Sequence, residues 1–140
     1  MGGPSLASAA VEGFDFVHGD TVRFRDVDAM GHVNNAVFLT YLEQARIAYL
    51  RSLGVLEGPL QLAMILARVE IDFRAQAWPG EQLEIGVRPA RFGTKSFDLE
   101  YEVRAEGRVV AEARTVLVGY DYVSNESVEL PTEWREALAA

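Results

Sequence analysis

Asp28-Ala29-Met30-Gly31-His32-Val33-Asn34-Asn35-Ala36 opens a helical run that reaches Leu53, and this stretch decides the fold. Asn34 or Asn35 suits the N-cap, because its side-chain oxygen can accept from free amides of the first turn. Gly54 supplies the stop just past the end. At about 100° per residue, Val37, Phe38, Tyr41, Leu42, Ala45, Ala48 and Tyr49 form one broad apolar face. Ala36, Leu39, Ile47 and Leu50 form a second apolar stripe, and only Thr40, Gln44 and Arg51 line up as a polar strip. A helix apolar nearly all round is expected to be buried on most sides. Glu43 falls inside the second stripe, a costly place for a carboxylate unless it is paired or functional.

Outward from this helix the chain is strands and turns. Residues 16–25 alternate, with Val22 and Phe24 facing one way, and predict a first strand. Past the Glu57-Gly58-Pro59 loop, a second strand covers residues 62–75, with Val69, Ile71 and Phe73 on one side. Pro79-Gly80 marks a turn. Leu83, Ile85 and Val87 make a third strand; Phe97, Leu99, Tyr101 and Val103 make a fourth. Glu106-Gly107 suits a tight hairpin. The fifth strand, residues 109–122, is apolar on both faces at Val116-Leu117-Val118, which places it centrally. Pro131-Thr132 opens a short C-terminal helix. One strand, one long helix and four hairpin-linked strands predict an α+β fold, with five antiparallel strands curled around the helix.

A chain of 140 residues is one domain by size. We expect residues 1–13 to be a disordered tail and residues 14–140 the domain, because the first ten residues lack the basic start and apolar core of a signal peptide. A net charge of −8 argues against nucleic acid as the main partner. The absence of cysteine excludes disulfides, thiol nucleophiles and thiolate metal sites, and is compatible with a cytoplasmic location. No apolar run approaches the ~20 residues of a membrane span.

The segment Val22-Arg-Phe-Arg-Asp-Val-Asp-Ala-Met-Gly-His-Val-Asn-Asn-Ala36, with Tyr41-Leu-Glu-Gln-Ala-Arg46, resembles the hotdog-fold acyl-CoA thioesterases. The similarity is to the 4-hydroxybenzoyl-CoA thioesterase-like group of acyl-CoA thioester hydrolases. Arg68-Val-Glu-Ile-Asp-Phe-Arg-Ala75 and Pro79-Gly-Glu-Gln-Leu83 are similar to that group's second and third strands, so the resemblance covers residues 21–120. It implies a hotdog fold wrapped around the central helix, a homodimer or homotetramer, and active sites between subunits. It implies acyl-CoA as substrate, coenzyme A as part of that substrate rather than a cofactor, and the second Asp of the run, Asp28, as the catalytic group. The founding benzoyl-type enzymes carry other residues at His32, Asn34 and Asn35; this chain looks more like the long-chain or general acyl-CoA branch.

Thioester hydrolysis needs an activated water or a direct nucleophile, and a donor for the carbonyl oxygen as it gains charge. Asp28 could be the general base or the nucleophile; alternatively it only caps the Ala29–His32 turn. Free amides at the helix start could polarise the carbonyl. Asp26, two residues earlier, reads as a structural acceptor. His32, Asn34 and Asn35 are candidates for substrate binding, set against local hydrogen bonding and capping. With His18 the only other histidine, no His-rich metal site is expected. Glu43 is the rival catalytic carboxylate, set against a buried pair with Arg46, Arg23 or Arg25, which we favour. In the family the turn holding Arg91 and Lys95 lies near the coenzyme A phosphates, so both are candidates for phosphate contact, set against an ordinary solvated turn. Tyr41, Tyr49, Phe38 and Met64 read as core. A hotdog hydratase or dehydratase would use an Asp–His pair with proline and small residues between; Asp28 and His32 with Ala-Met-Gly between them fit this poorly. A non-catalytic acyl-CoA-binding module would have no use for a carboxylate at an electrophilic carbon.

Overall fold

The computed structural model describes residues 11–56 and 62–140, so the loop expected at Glu57-Gly58-Pro59 and the first ten residues lie outside it. The strands are β1 (Phe16–Thr21), β2 (Leu62–Phe73), β3 (Gln82–Phe92), β4 (Ser96–Ala105), β5 (Arg108–Asp121) and β6 (Glu126–Ser127). The helices are α1 (Val37–Ser52) and α2 (Thr132–Ala139). The sheet runs β1-β3-β4-β5-β2 with every pair antiparallel, and the two-residue β6 pairs with the end of β5. Five long strands and one long helix are the elements read from the sequence; β6 is an addition. β5 lies between β4 and β2, as its two-sided apolar run requires.

Strand alternation sorts the faces. Leu83, Ile85, Val87, Phe97, Leu99, Tyr101, Val103 and Leu117 are buried in one core with α1. Arg88, Glu100, Glu112 and Arg114 point to the other face, where Arg88 pairs with Glu100 and Arg114 with Asp98 and Glu100. The β4–β5 hairpin turns at Glu106 (φ 51°) and Gly107 (φ 89°), the double positive φ of a type I′ turn. On the charged face Gly86 leaves room for the Phe14 ring, since a Cβ there would lie 2.6 Å from Phe14 Cγ. Arg88 covers that ring at 4.3 Å and donates to the Gly13 carbonyl. Val11 is buried and bridges to Phe14.

The first strand is shorter than expected. It ends at Thr21, and Phe24–Asp26 form a 3-10 turn that leaves Phe24 84% exposed instead of facing inward with Val22. Asp26 causes this. Its Oδ2 accepts the Arg23 N–H at 2.9 Å and the Tyr41 hydroxyl at 2.7 Å, a local pattern that competes with the strand ladder.

α1 starts two residues after the expected position. Ala36 occupies its N-cap without a side-chain bond, while Asn34 Oδ1 accepts the Ala36 N–H at 2.8 Å. Its end is as read: Gly54 (φ 75°) donates to Arg51 O and Val55 to Leu50 O, the paired bonds of a Schellman motif. Tyr41, Leu42, Ala45 and Tyr49 are buried on the flank toward β1 and β3, with the Tyr49 ring 5.3 Å from Phe16. The other flank corrects the expectation of burial on most sides. In the single chain Ala36, Leu39 and Glu43 are exposed and Ile47 is half-buried; of that stripe only Leu50 is buried. An extra residue at Ala67, where the β2–β5 register shifts, keeps Met64 and Leu66 on the same side of the sheet as Val69 and Ile71. Among the described residues no helix is long and apolar enough to cross a membrane.

Candidate active site

The Asp28 loop is a closed turn. Val27 and Val33 form an isolated antiparallel bridge, and inside it Asp28 donates its N–H to His32 O at 3.0 Å. Gly31, at φ 90°, donates back to Asp28 O at 3.0 Å. The Asp28 carboxylate is half-buried; Oδ1 accepts the Met30 N–H at 2.8 Å, and Oδ2 has no hydrogen-bond partner among the described residues. Capping and availability are therefore both present, one on each oxygen. The same turn fixes His32 through its backbone.

Two further sets of contacts hold this loop in place. Val33 donates to Ala77 O and Asn34 to Asp26 O, which ties the loop to the β2–β3 connection and to the 3-10 turn. The β2–β3 connection is itself clamped by Glu81, whose carboxylate accepts the Trp78 N–H and both terminal nitrogens of Arg108. Arg108 also donates to Gln76 O at 2.7 Å. These bonds hold the Glu81 carboxyl below its ordinary value, the Arg108 contact being the largest influence. The clamp presents Trp78, whose ring meets His32 edge-on at 5.9 Å. The sequence reading passed over Glu81, Arg108 and Trp78; only the Pro79-Gly80 turn hinted that the connection was built.

His32 and Asn35 come together in a hollow of about 300 Å³ beside Phe38, Phe73 and Ala77, between α1 and β2. The amides around it are mostly taken, which corrects the expectation of free donors at the helix start. Val37, Phe38 and Leu39 donate to the carbonyls of Asn34, Asn35 and Ala36, and Ala36 donates to the Asn34 side chain. From Val33 to Leu39 the Asn35 N–H alone has no acceptor among the described residues. Asn34 is thus occupied in shaping the turn, and Asn35 is free to face a ligand.

Asp26 is a structural acceptor, as read. Burial first, and then the bond to Asp26, push the Tyr41 hydroxyl well above its ordinary value, so it stays a donor. Glu43 departs from the favoured reading: it is exposed, and no ion pair to Arg46, Arg23 or Arg25 forms among the described residues. Its exposure on the open flank is the reason: Arg46, one turn on, turns to the Tyr101 hydroxyl instead. Arg91 pairs with Asp98 at 3.6 Å, and Lys95 reaches Ser127 Oγ at 3.5 Å. Both are exposed, Arg91 near the end of β3 and Lys95 on the β3–β4 turn, whose Gly93 and Thr94 carbonyls are held by Arg135 of α2. Neither lines the hollow at His32 and Asn35. Phe38, Tyr41 and Tyr49 are core, whereas Met64 is only half-buried and lines a second hollow farther along α1. Among the described residues no group of three or more His, Asp or Glu side chains is arranged to hold a metal.

Residues 22–138 match the family model of the thioesterase-like superfamily. The chain is 32% identical to a 1,4-dihydroxy-2-naphthoyl-CoA hydrolase of Nostoc punctiforme, over 84% of this chain and 82% of that protein. It is 30% identical to the long-chain acyl-CoA thioesterase FadM of Escherichia coli, over 84% and 92% respectively. A thioesterase from Thermus thermophilus, solved in complex with coenzyme A and Zn, superposes with a TM-score of 0.81 at 35% identity, covering 91% of this chain and 94% of that one. A closed carboxylate-bearing turn beside one long helix on an antiparallel sheet is set within the matched residues, and the chain belongs to the thioesterase-like superfamily as a hotdog-fold thioesterase.

Proposed function

We propose that this protein hydrolyses acyl-CoA thioesters to the free acid and coenzyme A, with Asp28 as the catalytic carboxylate. One observation carries the assignment. Asp28 is anchored through Oδ1 by Met30, which leaves Oδ2 unbonded among the described residues. As a general base, Oδ2 takes a proton from water while the hydroxide adds to the thioester carbon. The carbonyl oxygen gains the charge, and the free Asn35 N–H is our donor for it. Collapse expels coenzyme A thiolate, which takes up a proton. As a nucleophile, Asp28 would instead displace the thiolate, form an anhydride and be released by water. His32, pressed on Trp78, lines the acyl entrance. Arg91 and Lys95 supply the local positive charge an acidic protein needs for coenzyme A phosphates.

Asp28→Asn tests this. The amide oxygen can still accept from Met30, so folding is expected to be unchanged. Turnover should fall about 10²–10⁴-fold, roughly 3–5 kcal/mol of barrier, across a panel of acyl-CoA esters read by thiol release. If Asp28→Asn stays active while Glu43→Gln loses turnover in a stable protein, the catalytic carboxylate is Glu43. Label in Asp28 after one turnover in ¹⁸O-water marks the nucleophile route with water attacking the Asp28 carbon of the anhydride, and hydroxylamine trapping of the anhydride marks that route where water attacks the acyl carbon.

We also place a second copy of the chain on the open flank, in a homodimer that can pair into a tetramer. β2 ends the sheet order and exposes Leu66 and Phe73, the Phe73 ring lying 5.4 Å from Phe38 of α1, whose neighbour Leu39 is exposed. An uncovered apolar edge of this kind is a pairing surface. Light scattering should give at least twice the chain mass of 15.5 kDa at working concentration; a monomer mass overturns the assembly. The absence of cysteine suits the reducing cytoplasm, where we locate the enzyme.

A further inference from the structure

We infer that Arg46 reads the far end of the acyl group, and that preferred substrates carry an anionic group there, a terminal carboxylate being the simplest. The inference rests on the thioesterase reading above. Five arginines are half-buried among the described residues: Arg46, Arg104, Arg108, Arg114 and Arg135. Arg104, Arg108 and Arg114 hold carboxylates, and Arg135 holds two backbone carbonyls. Arg46 holds neither. Its one hydrogen bond among the described residues goes to the Tyr101 hydroxyl at 3.4 Å. Tyr101 in turn lies 2.7 Å from Thr115 Oγ1, and both residues are buried in the core. Arg46 donates to the phenol oxygen, so the guanidinium is held at one corner by the buried Tyr101–Thr115 pair.

Arg46 and Glu43 line a hollow of about 250 Å³ whose other walls are apolar, Leu50, Leu56, Met64 and Leu66 among them. A half-buried cation against an apolar wall, with no acid paired to it, is unfavourable until an anion arrives. A guanidinium fork suits a carboxylate in both shape and charge. The volume suits a short chain or a single ring, since an apolar cavity of ~150 Å³ already holds benzene. The position suits the distance as well. Arg46 lies nine residues past Val37, about 13 Å along the helix at ~1.5 Å per residue. This hollow and the one at His32 and Asn35 lie on the same side of α1, facing β2. On this reading an acyl group entering at the first extends along α1 toward Arg46 at the second.

Length-matched substrates test the inference. Decanoyl-CoA is compared with the mono-CoA thioester of decanedioic acid, and dodecanoyl-CoA with that of dodecanedioic acid, in wild type and Arg46→Met. Wild type should prefer the terminal carboxylates. Arg46→Met should lose about tenfold to hundredfold in kcat/KM on them and stay within about twofold on the methyl-ended esters. Arg46→Gln serves if the Met variant does not fold. A wild-type preference for methyl ends overturns the inference. So does an equal loss on both sets with a lowered melting temperature or a loss of dimer mass, which would make Arg46 a structural partner of Glu43 or of the second copy. If wild type hydrolyses neither set, the proposed activity fails. Calorimetric titration of the unhydrolysable thioether analogues then decides Arg46 alone: selective weakening of the acid-ended analogue in the variant supports its role, and equal affinities end it.

Discussion

The two flanks of α1 differ more than its sequence suggests. Toward β1 and β3 the helix is sealed by Tyr41, Leu42, Ala45 and Tyr49, with Phe16 stacked on Tyr49. Toward β2 it leaves Leu39 and Glu43 exposed and Arg46 without an acid, over two hollows. Both flanks are apolar in composition, so hydrophobicity does not separate them. What separates them is whether a strand of the same chain covers the side chains. The sealed flank holds the helix on the sheet; the open flank is left for what comes from outside, an acyl group or a second copy.

Breaking the sealed flank should change stability and spare chemistry. Leu42 is 1% exposed, and Leu42→Ala should cost about 2–5 kcal/mol through lost burial and a residual cavity. Its melting temperature should drop clearly while kcat at 25 °C stays within about twofold. A stable Leu42→Ala protein with lost turnover would show that the flanks are not independent.

The turn on β3 and β4 sharpens the comparison from the outside. Arg91→Ala with Lys95→Ala should raise KM for acyl-CoA several-fold with little change in kcat, because these side chains would hold a remote part of the substrate. The difference should shrink at high salt. Identical kinetics for wild type and the double variant would remove both residues from the site.

The smallest expected effect concerns the clamp that supports the open flank. Arg108 holds the Glu81 carboxyl below its ordinary value. As pH falls, the unfolded chain therefore takes up that proton before the folded one does. The stability from this pair is complete above the ordinary glutamate value of ~4.3 and is lost as pH falls through the lower folded value. Melting curves of wild type and Glu81→Gln should differ near neutrality and converge in acid. A gap that stays constant down to the acid limit would mean that the pair does not report on this titration.

Much of this was legible in residue order. Period-2 runs such as Phe97, Leu99, Tyr101 and Val103 expose their inward face directly, because a strand puts alternate residues on opposite sides. Gly54, Pro79-Gly80 and Glu106-Gly107 were legible for a related reason: a turn or a helix stop is decided by the local φ values its residues can adopt. Phe24 was misread because a carboxylate two residues on, Asp26, captured the Arg23 amide and bent the strand, and that capture is completed by Tyr41 from the helix. Glu43 was misread because a pair requires two side chains to face each other across space, and periodicity reports only one of them.

By itself, then, the sequence determined the α+β class, the strand and helix inventory, the stop at Gly54 and the run that carries Asp28, since these follow from local conformational preference and from the period of apolar residues. Tertiary structure alone decided which flank of α1 is sealed, that among the described residues Asn35 rather than the first helical turn holds the spare amide, and that Glu81 and Arg108 brace the loop behind His32. Each of those depends on which distant backbone happens to lie opposite. That is set by the β1-β3-β4-β5-β2 order of the sheet, and no single stretch of the chain contains it.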